Sequence, residues 1–528
     1  MLGGTVSAGA YTAGALDFLF QALDDFSLAK GQGIAPQHNV TLKVIAGTSG
    51  GGVNAAIAAR ALAYDYPPIT SIQAAGDIPS ANPFFDVWVN MLTLDRLLAP
   101  NGGPGPVTAL MNPEPIDAAA ARIVSLTGDR RARDWIAAPL DVFVTMTNLR
   151  GVPFNTDLGS GLGQSFSEHA DHARFRVRYP HQAEVAARPD SFAVDFNPAG
   201  AAAWTELGEY ACATAAFPIG FPARPLTRRT DHYRYRATML PIGPNGEMQP
   251  GMRLPDWNAM IPPGAADVPD SVTFLCMDGG ATNNQPIEMA RVAMAGIGKA
   301  NPRDGLDANR AVWLIDPFAA AARLGPADEV GLFEAGGALL SSLVDQSRYA
   351  TSDLMLATNA NVYSRFILTP QRDGLIGAAA LASAGLGAFI GFACRDFMRH
   401  DYLLGRKNCR DYLLDQFALP RDNHLFDGWS AAKKDEWQIA GTDELPIIPL
   451  FGQSAAPPVF DAWPKGRLDP ERYRDAIARR YQSVVDRAVD GSFLVEVITD
   501  AVAAATKGAV AEYAVAKMRK ALRDSDLD

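Results

Sequence analysis

The sequence predicts an α/β protein: a mainly parallel central sheet flanked by helices, with a helical C-terminal extension. Three observations predict it. Apolar runs of strand length at Thr41–Ile45, Leu140–Leu149, Ser271–Met277 and Arg310–Pro317 alternate with runs of helix length. The first strand runs through Gly47-Thr48-Ser49-Gly50-Gly51 into the Ala-rich helix Val53–Leu62. The third strand ends at Asp278-Gly279-Gly280. Chemistry in such sheets gathers at the carboxyl ends of strands, so Ser49 and Asp278 can meet on one edge.

Each element follows from local patterning. Gly3–Gly14 is a small-residue loop, and a central strand is expected to lead into it, yet almost nothing precedes it. Ala10–Leu23 reads as an apolar helix and Ser27–Asn39 as a polar connection. Pro67–Pro83 reads as linkage. Phe84, Phe85, Val87, Trp88, Met91 and Leu92 form an apolar cluster that suits a core or an acyl-chain cleft. Pro115–Leu126 reads as an amphipathic helix with proline in its first turn. Asp157–Pro198 is rich in His, Arg and Asp and reads as a surface excursion; His169, His172 and His181 there suit a solvated loop better than a metal site. Leu207–Ala216 reads as a helix running into a rigid turn, and Arg228–Pro269 as a Pro-rich insertion. Ile287–Met294 is a helix. Gly374–Cys394 carries no charge, but it is mostly Gly and Ala and weakly apolar, so a packed helix or helix pair is expected before a membrane span. Asp469–Arg487 and Phe493–Leu522 read as a terminal helical pair.

The chain has 528 residues, 48% hydrophobic and 20% charged, enough to bury a large core. A net charge of −11 argues against a nucleic-acid partner, which needs a basic face. Cys212, Cys276, Cys394 and Cys409 are widely spaced, which disfavours structural zinc or a disulfide framework and fits a reducing compartment. No charged segment followed by an apolar run is seen near the start, so a cytoplasmic place, or a peripheral one at the inner face of a membrane, is expected.

The chemistry starts from Gly47-x-Ser49-x-Gly51, whose strand-before and helix-after context marks a nucleophile elbow. The glycines allow a tight turn, and the helix N-terminus favours a developing oxyanion. The serine needs a base. A Ser–acid–His order is open, since His400 and His424 follow Asp278. That arrangement needs several strands before the elbow, and this chain has room for one partial strand. A Ser49–Asp278 dyad without histidine is the alternative, with Gly279 and Gly280 letting the backbone turn beside the serine.

Four stretches in one order resemble the patatin-like phospholipases: Gly3–Gly9, the elbow at Gly47, Ser49 and Gly51, Cys212–Pro222, and Asp278–Pro286 with Asn284. The resemblance spans roughly residues 1–320. It implies a three-layer fold; insertions at about 157–200 and 228–270 and a mostly helical extension over 321–528, which lies outside the resemblance, are expected from the residues themselves. It implies a serine acyl-ester hydrolase of phospholipase A or lipase type that releases fatty acid and needs no metal or cofactor. Ser49 would be the nucleophile and Asp278 its base. Gly4, Thr5, Val6 and Gly50 would hold the oxyanion. The substrate would be a phospholipid or other acyl ester, with peripheral membrane contact. The first loop departs from the family's usual G-G-G-x-R/K-G: Thr5 and Val6 stand where glycines are usual and Ala8 where a basic residue is usual. A lipid-binding scaffold of the same fold and an acyltransferase are therefore carried as alternatives.

Overall fold

The computed structural model describes residues 1–100, 107–157, 163–184, 186–234, 236–241, 247–260, 268–283, 286–318, 342, 347, 359, 361–487 and 507–528. Helix α1 (Gly9–Gly31) is followed by strand β1 (Leu42–Gly47) and helix α2 (Gly50–Ala61). Helix α3 (Glu114–Val124) leads to the long strand β2 (Ile136–Asp157), then β3 (Gly163–Val177) and β4 (Phe192–Val194). Helix α4 (Ala201–Thr214) precedes β5 (Arg224–Arg229) and the hairpin β6 (Arg236–Pro241) and β7 (Met248–Arg253). Strand β8 (Ser271–Asp278), helix α5 (Ile287–Ala295), β9 (Val312–Ile315) and β10 (Arg365–Leu368) complete the sheet region. Helices α6 (Arg395–Asp415), α7 (Arg474–Arg487) and α8 (Lys507–Asp524) form the C-terminal part.

The α/β class holds, but the sheet is mixed rather than mainly parallel. β1 runs parallel to β2, and β3 to β4, while β2–β3, β2–β8 and β8–β5 are antiparallel. Leu2 takes the place expected for a strand before the glycine loop. It bridges β1 at Gly47 and β9 at Ile315, and β10 lies parallel beyond β9.

The register of β2 positions the site. Its first half pairs with β1, with Gly47 opposite Val144. Further along the same edge, Met146 lies opposite Asp278, the last residue of β8. Two residues of a strand cover about 7 Å. The ends of β1 and β8 therefore arrive side by side. Leu140, Val142, Val144 and Met146 are buried on one face of β2 and Phe143, Thr145 and Thr147 on the other, so a one-residue slip would exchange apolar and hydroxyl side chains between two packed faces and break the bonds of Thr145 to Thr48 and of Thr147 to the Asp278 carbonyl.

Four sequence expectations change. Residues 163–177 are not a surface excursion; they form β3, whose Ala173, Phe175 and Val177 are buried. The intervening arginines face charge partners: Arg174 pairs with Asp141 across the strands at 2.7 Å. β5 likewise runs into the segment read as an insertion, and its Arg228 is fully buried against Asp171 at 3.2 Å. Gly374–Cys394 forms no long helix; it is a tight hairpin followed by short helical turns. Among the described residues no helix is long and apolar enough to cross a membrane. α1 runs past Leu23 to Gly31, since Phe26 and Ala29 continue its buried face. Asn284, residues 319–341 and the start of the final expected helix lie outside the described residues.

α1 is apolar nearly all round and is buried against α2 and α6. Two glycines permit the α1–α6 contact: a Cβ on Gly14 would overlap the Tyr402 carbonyl, and one on Gly405 the Tyr11 carbonyl. The buried Arg406 guanidinium pairs with Asp17 at the same contact. α6 is thus part of the core of the N-terminal region. Gly405→Val is expected to lower stability by about 2 kcal/mol or more, because backbone lies on the facing side and cannot yield as a side chain would. Thermal melting reads this; an unchanged midpoint would contradict the packing described.

Candidate active site

Ser49 sits between β1 and α2 with φ 54° and ψ −129°. A non-glycine residue rarely adopts this conformation, and here the neighbouring glycines over-determine it. A Cβ on Gly47 would strike the Gly51 backbone, and one on Gly51 would strike the carbonyls of Leu2 and Gly3. The turn is locked from above by Thr214 Oγ1, which accepts the Ser49 N–H at 2.8 Å.

The Ser49 hydroxyl donates to Asp278 Oδ2 at 2.5 Å. The other carboxylate oxygen, Oδ1, accepts the Gly280 N–H at 2.7 Å. Thr147 Oγ1 donates to the Asp278 carbonyl at 2.7 Å, and the Asp278 N–H donates to the Ala216 carbonyl at 3.0 Å. The carboxylate is therefore held at both oxygens and along its backbone. Gly279 is needed because a Cβ there would overlap Thr145. Asp278 is 3% exposed. Burial raises its pKa to about 6, against the lowering effect of the bonds from Ser49 and Gly280.

Beside Ser49 opens an apolar cleft lined by Val53, Leu92, Ile116, Ile123, Phe217 and Phe221, among others. The early aromatic cluster divides between two roles: Phe84 and Phe85 are core, whereas Trp88 and Leu92 line the cleft. Trp88 is anchored by donating to Asn54 Oδ1 at 2.8 Å. Of the residues expected to hold an oxyanion, Val6 and Gly50 line the cleft with Ser49. Val6 has φ 45°, which strains a β-branched residue. Thr5 is buried, and its side chain occupies the space a Cβ on Gly50 would need. Gly4 lies in the same loop.

Some expected groups stay apart. His172 is half-buried on β3 beside Arg236, and desolvation together with that guanidinium holds its pKa well below the usual value. Among the described residues no group of three or more His, Cys, Asp or Glu could hold a metal. His400 is buried against Asp401 at 2.9 Å, on α6. Sequence reasoning gave no role to Thr214, although it lies within a stretch singled out. It also missed Phe389 and Phe392, which line the same cleft from the C-terminal region. No local signal marks those two, because what matters is a contact across most of the chain.

A family model described as patatin-like phospholipase matches residues 1–291. The uncharacterized protein y4iI of Sinorhizobium fredii is 29% identical over 529 residues, covering 90% of this chain and 73% of that protein.

The Asp278 environment has a stability consequence. The unfolded carboxyl titrates near 3.8 and the folded one near 6. Between these values the folded state binds more protons, so this group's contribution to stability falls as pH rises, by roughly 3 kcal/mol in all. Asp278→Asn removes that dependence. Relative to wild type, its melting temperature is expected to rise between about pH 4 and about pH 7. A difference constant over that range would contradict the shifted carboxyl.

Proposed function

The chain belongs to the patatin-like phospholipase family, and from that premise we propose that it is a serine acyl-ester hydrolase acting on lipid, with Ser49 and Asp278 as its dyad. Members of this family are generally hydrolases of lipid acyl esters. The single observation that carries the finer reading is the Ser49 hydroxyl donating to the buried Asp278 carboxylate at 2.5 Å. No histidine is needed between them.

Above about pH 6 Asp278 is ionised and can take the Ser49 proton as Oγ attacks the ester carbonyl. The tetrahedral oxyanion forms at the N-terminus of α2, where N–H groups of the first turn have no intrahelical partner. Backbone N–H groups of Gly50 and of the Gly4–Val6 loop are the proposed donors. Collapse breaks the bond to the alcohol, which leaves with the proton from Asp278. Asp278 then deprotonates water, which attacks the acyl-serine. The fatty acid departs and Ser49 regains its proton. The apolar cleft suits an acyl chain beside the scissile bond. Ile219, half-exposed at φ 68° between the cleft residues Phe217 and Phe221, and the neighbouring exposed Leu110 suit peripheral contact with a lipid surface.

Ser49→Ala is expected to remove turnover of short and medium-chain p-nitrophenyl esters, and Asp278→Asn to lower it by on the order of 100-fold or more, both with folded protein. Turnover of wild type is expected to rise with pH through about 6. Wild-type-like rates in either variant would overturn the dyad. Transfer of the acyl group to an added alcohol in preference to water would favour an acyltransferase. An inert wild type that still binds fatty acid would favour the scaffold.

A further inference from the structure

The cleft wall opposite the N-terminal elements comes from outside the matched residues 1–291. It is built by Phe389 and Phe392, which contact each other with ring centroids 6.2 Å apart. Phe389 also meets Phe217 edge-on at 5.9 Å, and Phe217 belongs to the turn that follows α4. One face of the cleft is thus a cluster of three aromatic rings from two distant parts of the chain.

The segment bearing these rings is pinned to the glycine loop that precedes α1. The Ser7 hydroxyl donates to the Ala388 carbonyl and lies 3.3 Å from the Ser383 carbonyl. Ser7 and Ser383 are 376 positions apart. Gly391 packs flat on Ser7, where any Cβ would collide with it. On the other side, Asp401 of α6 accepts the N–H groups of Ala382 and Ser383, each at 2.9 Å. Tyr473 donates to the Ala393 carbonyl at 2.8 Å. Leu386, Gly387 and Ala388 all have positive φ, from 55° to 69°. Two of the three are non-glycine residues, so the turn is strained and the anchors on either side hold it. The rings therefore stand in a fixed position relative to Val6 and Ser49.

We propose that Phe389 and Phe392 are specificity-determining residues of this site: they form the wall against which a substrate's acyl chain lies, so the C-terminal region sets the preference for chain length. This rests on the acyl-ester reading above. A short acyl group reaches only the elbow, whereas a longer one needs apolar surface further along the cleft. Removing a ring should therefore cost long chains and spare short ones.

The test uses the full chain carrying Phe389→Ala, Phe392→Ala or Phe389→Leu. Two readouts are taken: hydrolysis of p-nitrophenyl acetate and laurate, and binding of lauric acid to the same variants made in the Ser49→Ala background. The Ala variants are expected to lose on the order of 10-fold in kcat/KM for laurate relative to acetate, and a similar factor in lauric acid affinity. Phe389→Leu, which keeps apolar bulk but loses the reach of the ring, is expected to lose about threefold in kcat/KM for laurate relative to acetate and carries the test if an Ala variant fails to fold. Equal laurate-to-acetate ratios and unchanged lauric acid binding would overturn the inference, as would a loss shared equally by both esters. An inert wild type whose Ser49→Ala form still loses lauric acid affinity on ring removal would sustain this inference while the hydrolase reading fails.

Discussion

The register of β2 is the constraint on which the rest depends. One edge of this strand receives β1 and then β8, and two residues separate the pairing of Gly47 from that of Asp278. The serine turn and the aspartate turn become neighbours because both strands stop against the same partner. Both faces of β2 are buried there, Val142, Val144 and Met146 on one and the bonded Thr145 and Thr147 on the other, so that register is costly to change. The strain at Ser49 is tolerated because glycines, Thr214 and the Leu2–Gly3 backbone leave it no alternative.

Burial sets the chemistry of the pair. A carboxylate removed from water has its pKa raised towards neutrality, which suits the proposed role of Asp278 as a base that takes and returns a proton near pH 7. The bonds from Ser49 and Gly280 keep the shift from going further. Deep burial of Asp278 thus opposes stability above pH 6 while, on the proposed reading, giving the base of the dyad a useful basicity. Such opposition is expected where a fold carries a reactive group.

Much of this was legible in the sequence, because turn chemistry is local. The elbow glycines and Asp278-Gly279-Gly280 announce tight turns after apolar runs, and the structure has those turns at the ends of β1 and β8. β3 was not legible, because its outward positions carry arginines that are satisfied by Asp141 on the neighbouring strand. The pattern reads as polar until the partner is known. Gly374–Cys394 misled for the opposite reason: an uncharged Gly/Ala run suggests helix, yet its glycines serve turns with positive φ at Gly374, Gly377 and Gly387. The cleft contribution of Phe389 and Phe392 has no local signature, since it depends on Ser7 and Asp401 holding the segment from both sides. The tie between α1 and α6 through Gly14 and Gly405 is of the same kind.

The most direct test of the central claim is intact-protein and peptide mass spectrometry after exposure to a fluorophosphonate, which reacts with an activated serine hydroxyl. The account predicts one adduct, on Ser49, that forms in wild type and is strongly slowed in Asp278→Asn. A folded wild-type protein that takes no adduct at Ser49, or one labelled equally fast with and without the Asp278 carboxylate, would contradict it.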